Sequence, residues 1–205
     1  MQLQKVKKSM IKDKLKKDKI GIEKKRASLE RPVKDLVFLG IGSNLNSIFG
    51  DRFTNINLAL EEIKKNKIKI LKKSNFYETP SYPVKNNPKF INIVISVITD
   101  LQPVDLMINL LKIEEKFQRK RTKKNEPRTC DIDIIDYKKI VKTFIFKNFN
   151  LKIPHTELKN RNFVLYPLSE IEPNWLHPET GENVELLIKN LSADDKKAVL
   201  KIDRH

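Results

Sequence analysis

Pro127-Arg128-Thr129-Cys130-Asp131-Ile132-Asp133-Ile134-Ile135 alternates charged and β-branched residues along its second half. That period of two predicts a strand with both carboxylates on one face. Residues two apart on a strand lie roughly 6–7 Å apart along it, so the two charges repel unless something positive lies between them. Arg128 enters the same segment, and Arg119 and Arg121 lie just upstream. An acidic pair among arginines suits a divalent cation with a phosphate, because magnesium takes one or two carboxylates and shares its remaining positions between water and phosphate oxygens. The alternative is a solvated Asp-x-Asp at a sheet edge with no ligand.

Upstream, the elements that lead to this strand fall in a recognisable order. Leu36 to Ile41 is a short apolar run that suits a buried strand, ended by the turn residues Gly42-Ser43-Asn44. Asp51 to Lys65 places Phe53, Ile56, Leu60 and Ile63 at helical spacing. Ile68 to Glu78 reads as a second strand, cut off by Thr79-Pro80, and a Pro/Asn-rich loop follows. Phe90 to Thr99 is a third strand with Ile91, Ile93, Ile95 and Val97 on one side, and Pro103 opens a second helix that runs to about Phe117. After a Lys/Arg-rich loop, Thr129 to Tyr137 is the fourth strand. A polar hairpin-like stretch, a helix from Arg161 to Ile171 and a last short element, Val184 to Leu191, complete the chain. Strand, helix, strand, strand, helix, strand is the order of an α+β, ferredoxin-like βαββαβ sandwich, an antiparallel sheet with helices packed on one face. That layout hosts many unrelated activities, RNA binding among them, so it does not choose a function.

The charge is unevenly spread. The 205 residues carry a formal net charge of +16, and residues 1–34 hold thirteen Lys/Arg against four Asp/Glu. Residues 1–33 therefore read as a basic, solvated extension, and residues 34–205 as one catalytic domain with a sizeable core. A basic field attracts nucleic acid and anionic nucleotides alike. The single cysteine, Cys130, has no partner for an internal disulfide, which fits a reducing compartment. No stretch is apolar enough to span a membrane, and the basic amino-terminal segment lacks the apolar core of a secretory signal. The cytoplasm is the expected location.

Other residues are chemically suggestive. Glu114 falls on the core-facing stripe of the second helix beside Leu110, Leu111 and Phe117, and a carboxylate on apolar surface needs a partner. It either orients an arginine or a ligand, or pairs with a surface lysine. Arginine at 119, 121 and 128, in a body that otherwise favours lysine, offers the planar fork that phosphate accepts. Lys123 and Lys124 lie in the intervening loop. Asn92 opens the third strand, where its amide could pair with the edge of a flat heterocycle between Phe90 and Phe163, although either ring taken alone reads as core. His155 and Arg161 share one short turn and could grip a phosphate, the alternative being a histidine that caps local backbone. The chain has no P-loop, no Gly-x-Gly-x-x-Gly and no paired cysteines, which argues against a P-loop enzyme, a Rossmann dehydrogenase and a zinc site.

Taken in order, Gly40-Ile41-Gly42-Ser43-Asn44-Leu45, Phe76-Tyr77-Glu78-Thr79-Pro80, Phe90-Ile91-Asn92, Glu114 with Arg119-x-Arg121, the Pro127–Ile134 run, and Ile153-Pro154-His155 with Arg161-Asn162-Phe163-Val164-Leu165 resemble the 6-hydroxymethyl-7,8-dihydropterin pyrophosphokinases of folate biosynthesis. The resemblance spans about residues 35–180. It implies transfer of diphosphate from ATP to a pterin hydroxymethyl group with release of AMP. It further implies that Asp131 and Asp133 bind two Mg²⁺ ions and act in catalysis with Arg119 and Arg128. Thr79, Pro80, Tyr82, Phe90, Asn92 and Phe163 would bind the pterin. Glu114, Arg119, Arg121, Arg128, Ile134, His155, Thr156 and Arg161 would line the ATP site. The chain departs from the family pattern in three places: Gln118 replaces a glycine before Arg119, Phe90 stands where tyrosine is frequent, and Asn125-Glu126 replaces a Trp-Gly pair in a shortened loop.

The expected partners are thus ATP and a reduced pterin, with no membrane, and the chain acts as a monomer, a dimer remaining open. The rival is a non-enzymatic RNA-binding module that uses the basic surface and aromatic stacking. It accounts for the charge but not for an acidic pair, which repels phosphates unless a metal intervenes.

Overall fold

Asp51 starts the first helix by accepting the N–H and the hydroxyl of Thr54, both at 2.8 Å, so one of the helix's orphan donors is satisfied. The computed structural model describes residues 35–82, 86–119, 126–146 and 149–203. Residues 1–33 and Arg121, for which the sequence suggests roles, and the loop residues Lys123 and Lys124 lie outside the described residues. Helix α1 (Arg52–Lys65) buries Ile56, Ala59, Leu60 and Ile63 along one stripe. Helix α2 (Pro103–Lys116) buries Leu106, Leu110 and Ile113 in the same way. Both lie against strands β1 (Val37–Ser43), β4 (Phe90–Ile98) and β5 (Asp131–Tyr137), whose alternate residues Leu39, Ile41, Ile91, Ile93, Ile95, Ile132 and Ile134 complete one apolar cluster. Each fully buried aliphatic side chain there contributes about 1.5–3 kcal/mol.

The second expected strand is two strands, β2 (Lys69–Lys73) and β3 (Phe76–Thr79), both paired with β4. Ser74 causes the break. Its N–H donates to Val94 O and its hydroxyl accepts Val94 N–H, each at 3.0 Å, so a side chain takes over one rung of the ladder while the β2 register slips between Ile70 and Lys72. The sheet runs β5-β1-β4-β3-β8, where β8 is Leu200–Ile202, with β2 beside β4, and all its pairings are antiparallel. With β2 and β3 counted together, this is the ferredoxin-like order.

The expectation of helices on one face is corrected. Helix α3 (Asn162–Ile171) packs on β4 and β3 from the opposite side, and its Val164, Leu165 and Leu168 are buried outside the first cluster. The reason is legible in β1 and β4, which are buried at almost every position, not at alternate ones. A strand apolar on both sides needs cover on both. A hairpin, β6 (Lys142–Phe146) with β7 (Phe149–Ile153), leads to a cis Ile153–Pro154 peptide. Beyond α4 (Val184–Asn190), two elements have no periodic signal in the sequence. These are α5 (Ala193–Lys197), capped by Ser192, and β8 (Leu200–Ile202), which pairs with β3.

β5 carries one irregularity. Leu39 pairs with Ile134, whereas Phe38 pairs with Asp136, so Ile135 is an extra residue, a β-bulge. Strict alternation assigns Asp136 to the face of Ile132 and Ile134. The bulge turns it to the face of Asp131 and Asp133.

Candidate functional site

Register alone assembles the site. Gly42 of β1 is paired with Asn92 of β4 on one side and Asp131 of β5 on the other, and Asn92 is paired in turn with Tyr77. One turn of the pleat away, Gly40 stands between Val94 and Asp133. Beside the acidic pair, β1 thus presents only glycine to this face. A Cβ on Gly42 would lie 3.0 Å from Asn92 Oδ1 and 3.5 Å from the Phe90 ring, so the missing side chain is what lets both lean across β1 towards the acidic pair.

Arginines meet the two carboxylates. Arg119 reaches Asp131 at 2.5 Å and is also paired with Glu114, Arg128 reaches the other Asp131 oxygen at 3.3 Å, and Arg161 reaches Asp133 at 2.8 Å. Glu114 is 2% exposed and accepts the N–H of Ile132 at 2.7 Å, so it ties the helix to the edge of β5 while it orients Arg119. The route to Arg119 is a Schellman turn. Gln118 N–H donates to Glu115 O and Arg119 N–H to Glu114 O, with Gln118 at φ +58°. That left-handed position is where the family pattern has glycine, and Gln118 occupies it at a conformational cost.

The charges of the pair are split. Burial, then the neighbouring Asp133, push Asp131 above the ordinary carboxylate range against the pull of Arg128 and Arg119. Burial also works against ionisation of Asp133, but His155, Arg161 and Arg119 together outweigh it and hold its pKa below that range. His155 Nδ1 accepts Glu157 N–H at 3.1 Å, so the neutral ring carries its proton on Nε2, which lies 4.0 Å from Asp133. Burial lowers the His155 pKa, only partly offset by Asp133, and so favours that neutral form. The thiol of Cys130 is buried and pushed well above its usual range, first by burial and then by Glu114 and Asp131, which makes it inert.

On the other side of Gly42, Asn92 is buried and donates to Thr79 Oγ1 at 3.0 Å. The Arg128 guanidinium overlies the Phe90 ring at 5.3 Å, and Arg161 overlies Phe163 at 5.5 Å. Of the residues singled out from sequence, Thr79, Phe90, Asn92, Glu114, Arg119, Arg128, Asp131, Asp133, His155, Arg161 and Phe163 are linked by the sheet row or by these contacts. Pro80, Tyr82 and Thr156 are exposed on the adjoining loops and turn. The Ile134 side chain belongs to the apolar cluster on the far face. Its main chain is another matter. β5 is an edge strand, Ile132 N–H points outward to Glu114, and alternation points Ile134 N–H and C=O to the same open edge. From sequence, Asn44 is a turn residue within the Gly40–Leu45 segment and has no assigned role, whereas it is 1% exposed and bonded to both Pro88 and Arg128.

The donor set suits a hard divalent cation. Among the described residues no group of three or more His, Cys, Asp or Glu is placed to hold a metal ion, so no closed cage of the zinc type forms. Two carboxylates, 21% and 32% exposed, leave the remaining positions of an ion to water and phosphate. Also among the described residues, the buried Nε of Arg128 has no hydrogen-bond partner, a donor that an anionic oxygen would satisfy.

Comparison with known proteins gives a consistent answer. The family model for 7,8-dihydro-6-hydroxymethylpterin-pyrophosphokinase matches residues 38–173. The chain is 39% identical over 143 residues to 2-amino-4-hydroxy-6-hydroxymethyldihydropteridine pyrophosphokinase of Aquifex aeolicus, covering 69% of this chain and 83% of that protein. It is 39% identical over 144 residues to the folic acid synthesis protein FOL1 of Dictyostelium discoideum, of which it spans 20%. Among solved structures, the Plasmodium falciparum HPPK-DHPS with pteroate superposes with a TM-score of 0.61 at 16% identity, covering 74% of this chain and 43% of that one, a likeness of fold.

Proposed function

Because the chain belongs to the 7,8-dihydro-6-hydroxymethylpterin-pyrophosphokinase family, we propose that it transfers diphosphate from ATP to the hydroxymethyl group of 6-hydroxymethyl-7,8-dihydropterin and releases AMP, a step of folate biosynthesis. The observation that carries this reading is the sheet face on which an arginine-ringed acidic pair and a buried amide beside an aromatic ring look the same way across Gly42 and Gly40.

In this reading the pterin ring lies on Phe90, with Phe163 as a second aromatic surface and its amide edge on Asn92, whose orientation Thr79 fixes. Pro80 and Tyr82 border it. ATP extends along the open edge of β5, where the main chain of Ile134 offers a donor and an acceptor to a heterocycle. The triphosphate meets Arg119, Arg128 and Arg161, with Arg121 and Thr156 as further contacts, and His155 donates from Nε2. Glu114 keeps Arg119 aimed at Asp131. Asp131 and Asp133 would hold Mg²⁺, two ions in our reading, which when bound supplies charge neutralisation at the triphosphate oxygens. The hydroxymethyl oxygen attacks the β-phosphorus, the bond from that phosphorus to the bridging oxygen on the AMP side breaks, AMP departs with that oxygen, and the hydroxyl proton passes to solvent. Arginines at the phosphates stabilise charge that grows on the departing group, and phosphoryl transfer depends chiefly on such positioning and electrostatics. No strong general base is required.

Among the described residues no helix is long and apolar enough to cross a membrane. We assign the enzyme to the cytoplasm as a monomer of which residues 34–205 are the catalytic domain. Full-length chain incubated with ATP, Mg²⁺ and the reduced pterin should form AMP in step with pterin diphosphate, measured by nucleotide chromatography. Hydrolysis of ATP that ignores the pterin, or no AMP at all, would overturn the reading.

A further inference from the structure

Asn44 is buried at the end of β1, and three hydrogen bonds converge on it. Its Oδ1 accepts Arg128 N–H at 2.6 Å, its own N–H donates to Arg128 O at 3.0 Å, and its Nδ2 donates to Pro88 O at 3.0 Å. The two side-chain bonds join segments 84 and 44 residues away in sequence. Each segment leads to a different half of the site. Two residues beyond Pro88 is Phe90, while the Arg128 head pairs with Asp131 at 3.3 Å and returns over the Phe90 ring at 5.3 Å. The contacts therefore close a circuit from Asn44 through Pro88, Phe90 and Arg128 back to Asn44. The neighbouring carbonyl, Lys89 O, is held separately by Arg52 at 2.5 Å, and Arg52 pairs with Glu78. An amide on a short stem is what this position requires, because it offers an acceptor and a donor at once. Aspartate would offer only the acceptor, and alanine neither.

We propose that Asn44 is a positioning residue that couples the two halves of the site, so that the place taken by the Arg128 main chain when a triphosphate binds is passed through one amide to the segment that carries Phe90. This rests on the reading of the site given above. A purely structural Asn44 would affect stability and leave the coupling intact.

The test is calorimetry on the full chain with Mg²⁺, α,β-methylene-ATP and 6-hydroxymethylpterin. In the native chain, the nucleotide analogue should tighten pterin binding by about tenfold or more, within the usual range of coupling between sites. Asn44→Asp keeps the acceptor for Arg128 and loses the donor to Pro88. It should bind the analogue within about threefold of the native chain while the coupling falls below about threefold. Full coupling in Asn44→Asp, or a loss no larger than the loss of analogue affinity, overturns the proposal. Should the variant not fold, hydrogen exchange on the native chain decides. The analogue with Mg²⁺ but without pterin should slow exchange at the amides of Lys89 to Asn92, and unchanged exchange there is the overturning result. A native chain that binds both probes without coupling also overturns it, whereas one that binds neither defeats the pyrophosphokinase reading instead.

Discussion

Asp131 and Asp136 lie on the same strand and face the same side of the sheet, yet one looks into an open trough and the other into a sealed corner. Asp131 keeps 21% of its side chain exposed, between Arg119 and Arg128, and shares its surroundings with a second carboxylate. Asp136 is 0% exposed. It accepts Trp175 Nε1 at 2.9 Å and Lys139 N–H at 3.1 Å and pairs with Lys139 Nζ at 3.0 Å. Its partners are fixed, local and complete, so nothing is left for a ligand to supply. At Asp131 the partners are long, partly exposed arginines that also reach other groups. The comparison teaches that a buried acid is a site only when its countercharges can be reassigned.

The largest expected effect falls at the open end. Asp131→Ala should lower the steady-state rate of AMP formation by about 10³-fold, equivalent to ~4 kcal/mol of transition-state stabilisation, while the thermal midpoint moves by only a few degrees. Turnover of the variant within tenfold of native would remove the acidic pair from the mechanism. At the sealed end the pattern should reverse. Asp136→Ala leaves the fully buried Trp175 indole N–H without its acceptor and Lys139 without its countercharge, though Lys139 still donates to Leu176 O, and it should cost about 3 kcal/mol in urea unfolding while the folded fraction keeps native activity. A stable but inactive Asp136→Ala would break the contrast.

A smaller effect concerns His177, next to Trp175 in the same corner. Burial and then Lys159 hold its pKa below the ordinary histidine value, and its Nδ1 accepts the N–H groups of Glu179 and Thr180 at 3.2 and 3.3 Å. The unfolded chain therefore takes up this proton first as the pH falls. Stability is undiminished above the unfolded value, about 6.5, and declines as pH falls from there towards the folded one. His177→Asn should remove part of that slope between pH 7 and 5.5, followed by unfolding midpoints, at a cost of about 1 kcal/mol at pH 8. A slope identical to native would show that this ring is not responsible. The smallest effect is at Gln118, where the left-handed turn that aims Arg119 is formed. Gln118→Gly should gain about 0.5 kcal/mol in urea unfolding, because relief at positive φ outweighs the entropy glycine adds to the unfolded chain. A loss of stability would mean that the turn is not strained.

The contrast along β5 also marks how far the sequence could be read. Asp131 and Asp133 were visible because alternation with isoleucine is a local signal. Glu114 was visible because a carboxylate broke an apolar helical stripe. Asp136 was not, because alternation assigns it to the wrong face and the bulge at Ile135 is set by pairing with β1. The split of β2 from β3 depends on Ser74 bonding to a strand 20 residues away, which no window of sequence displays. The second face of helices was foreshadowed by Phe90 to Ile98, apolar on both sides apart from Asn92 and Ser96, but a helical stripe does not say which side of a sheet it will cover. Asn44 looked like turn chemistry, and only the approach of Pro88 and Arg128 gives its amide a task.

One consequence follows from Glu114 accepting the N–H of Ile132. A sheet's outermost strand is a template on which another chain can add itself, and proteins usually guard it with charge, proline or a covering loop. On β5 the helix carboxylate occupies one rung at Ile132, and His155 N–H takes the carbonyl of Ile135 at 3.1 Å. Between them, among the described residues, only Ile134 directs its main chain to the open edge, a length too short to recruit a strand from a second molecule and long enough for one flat ring. Protection against self-association and selectivity for a small ligand are thus the same piece of backbone.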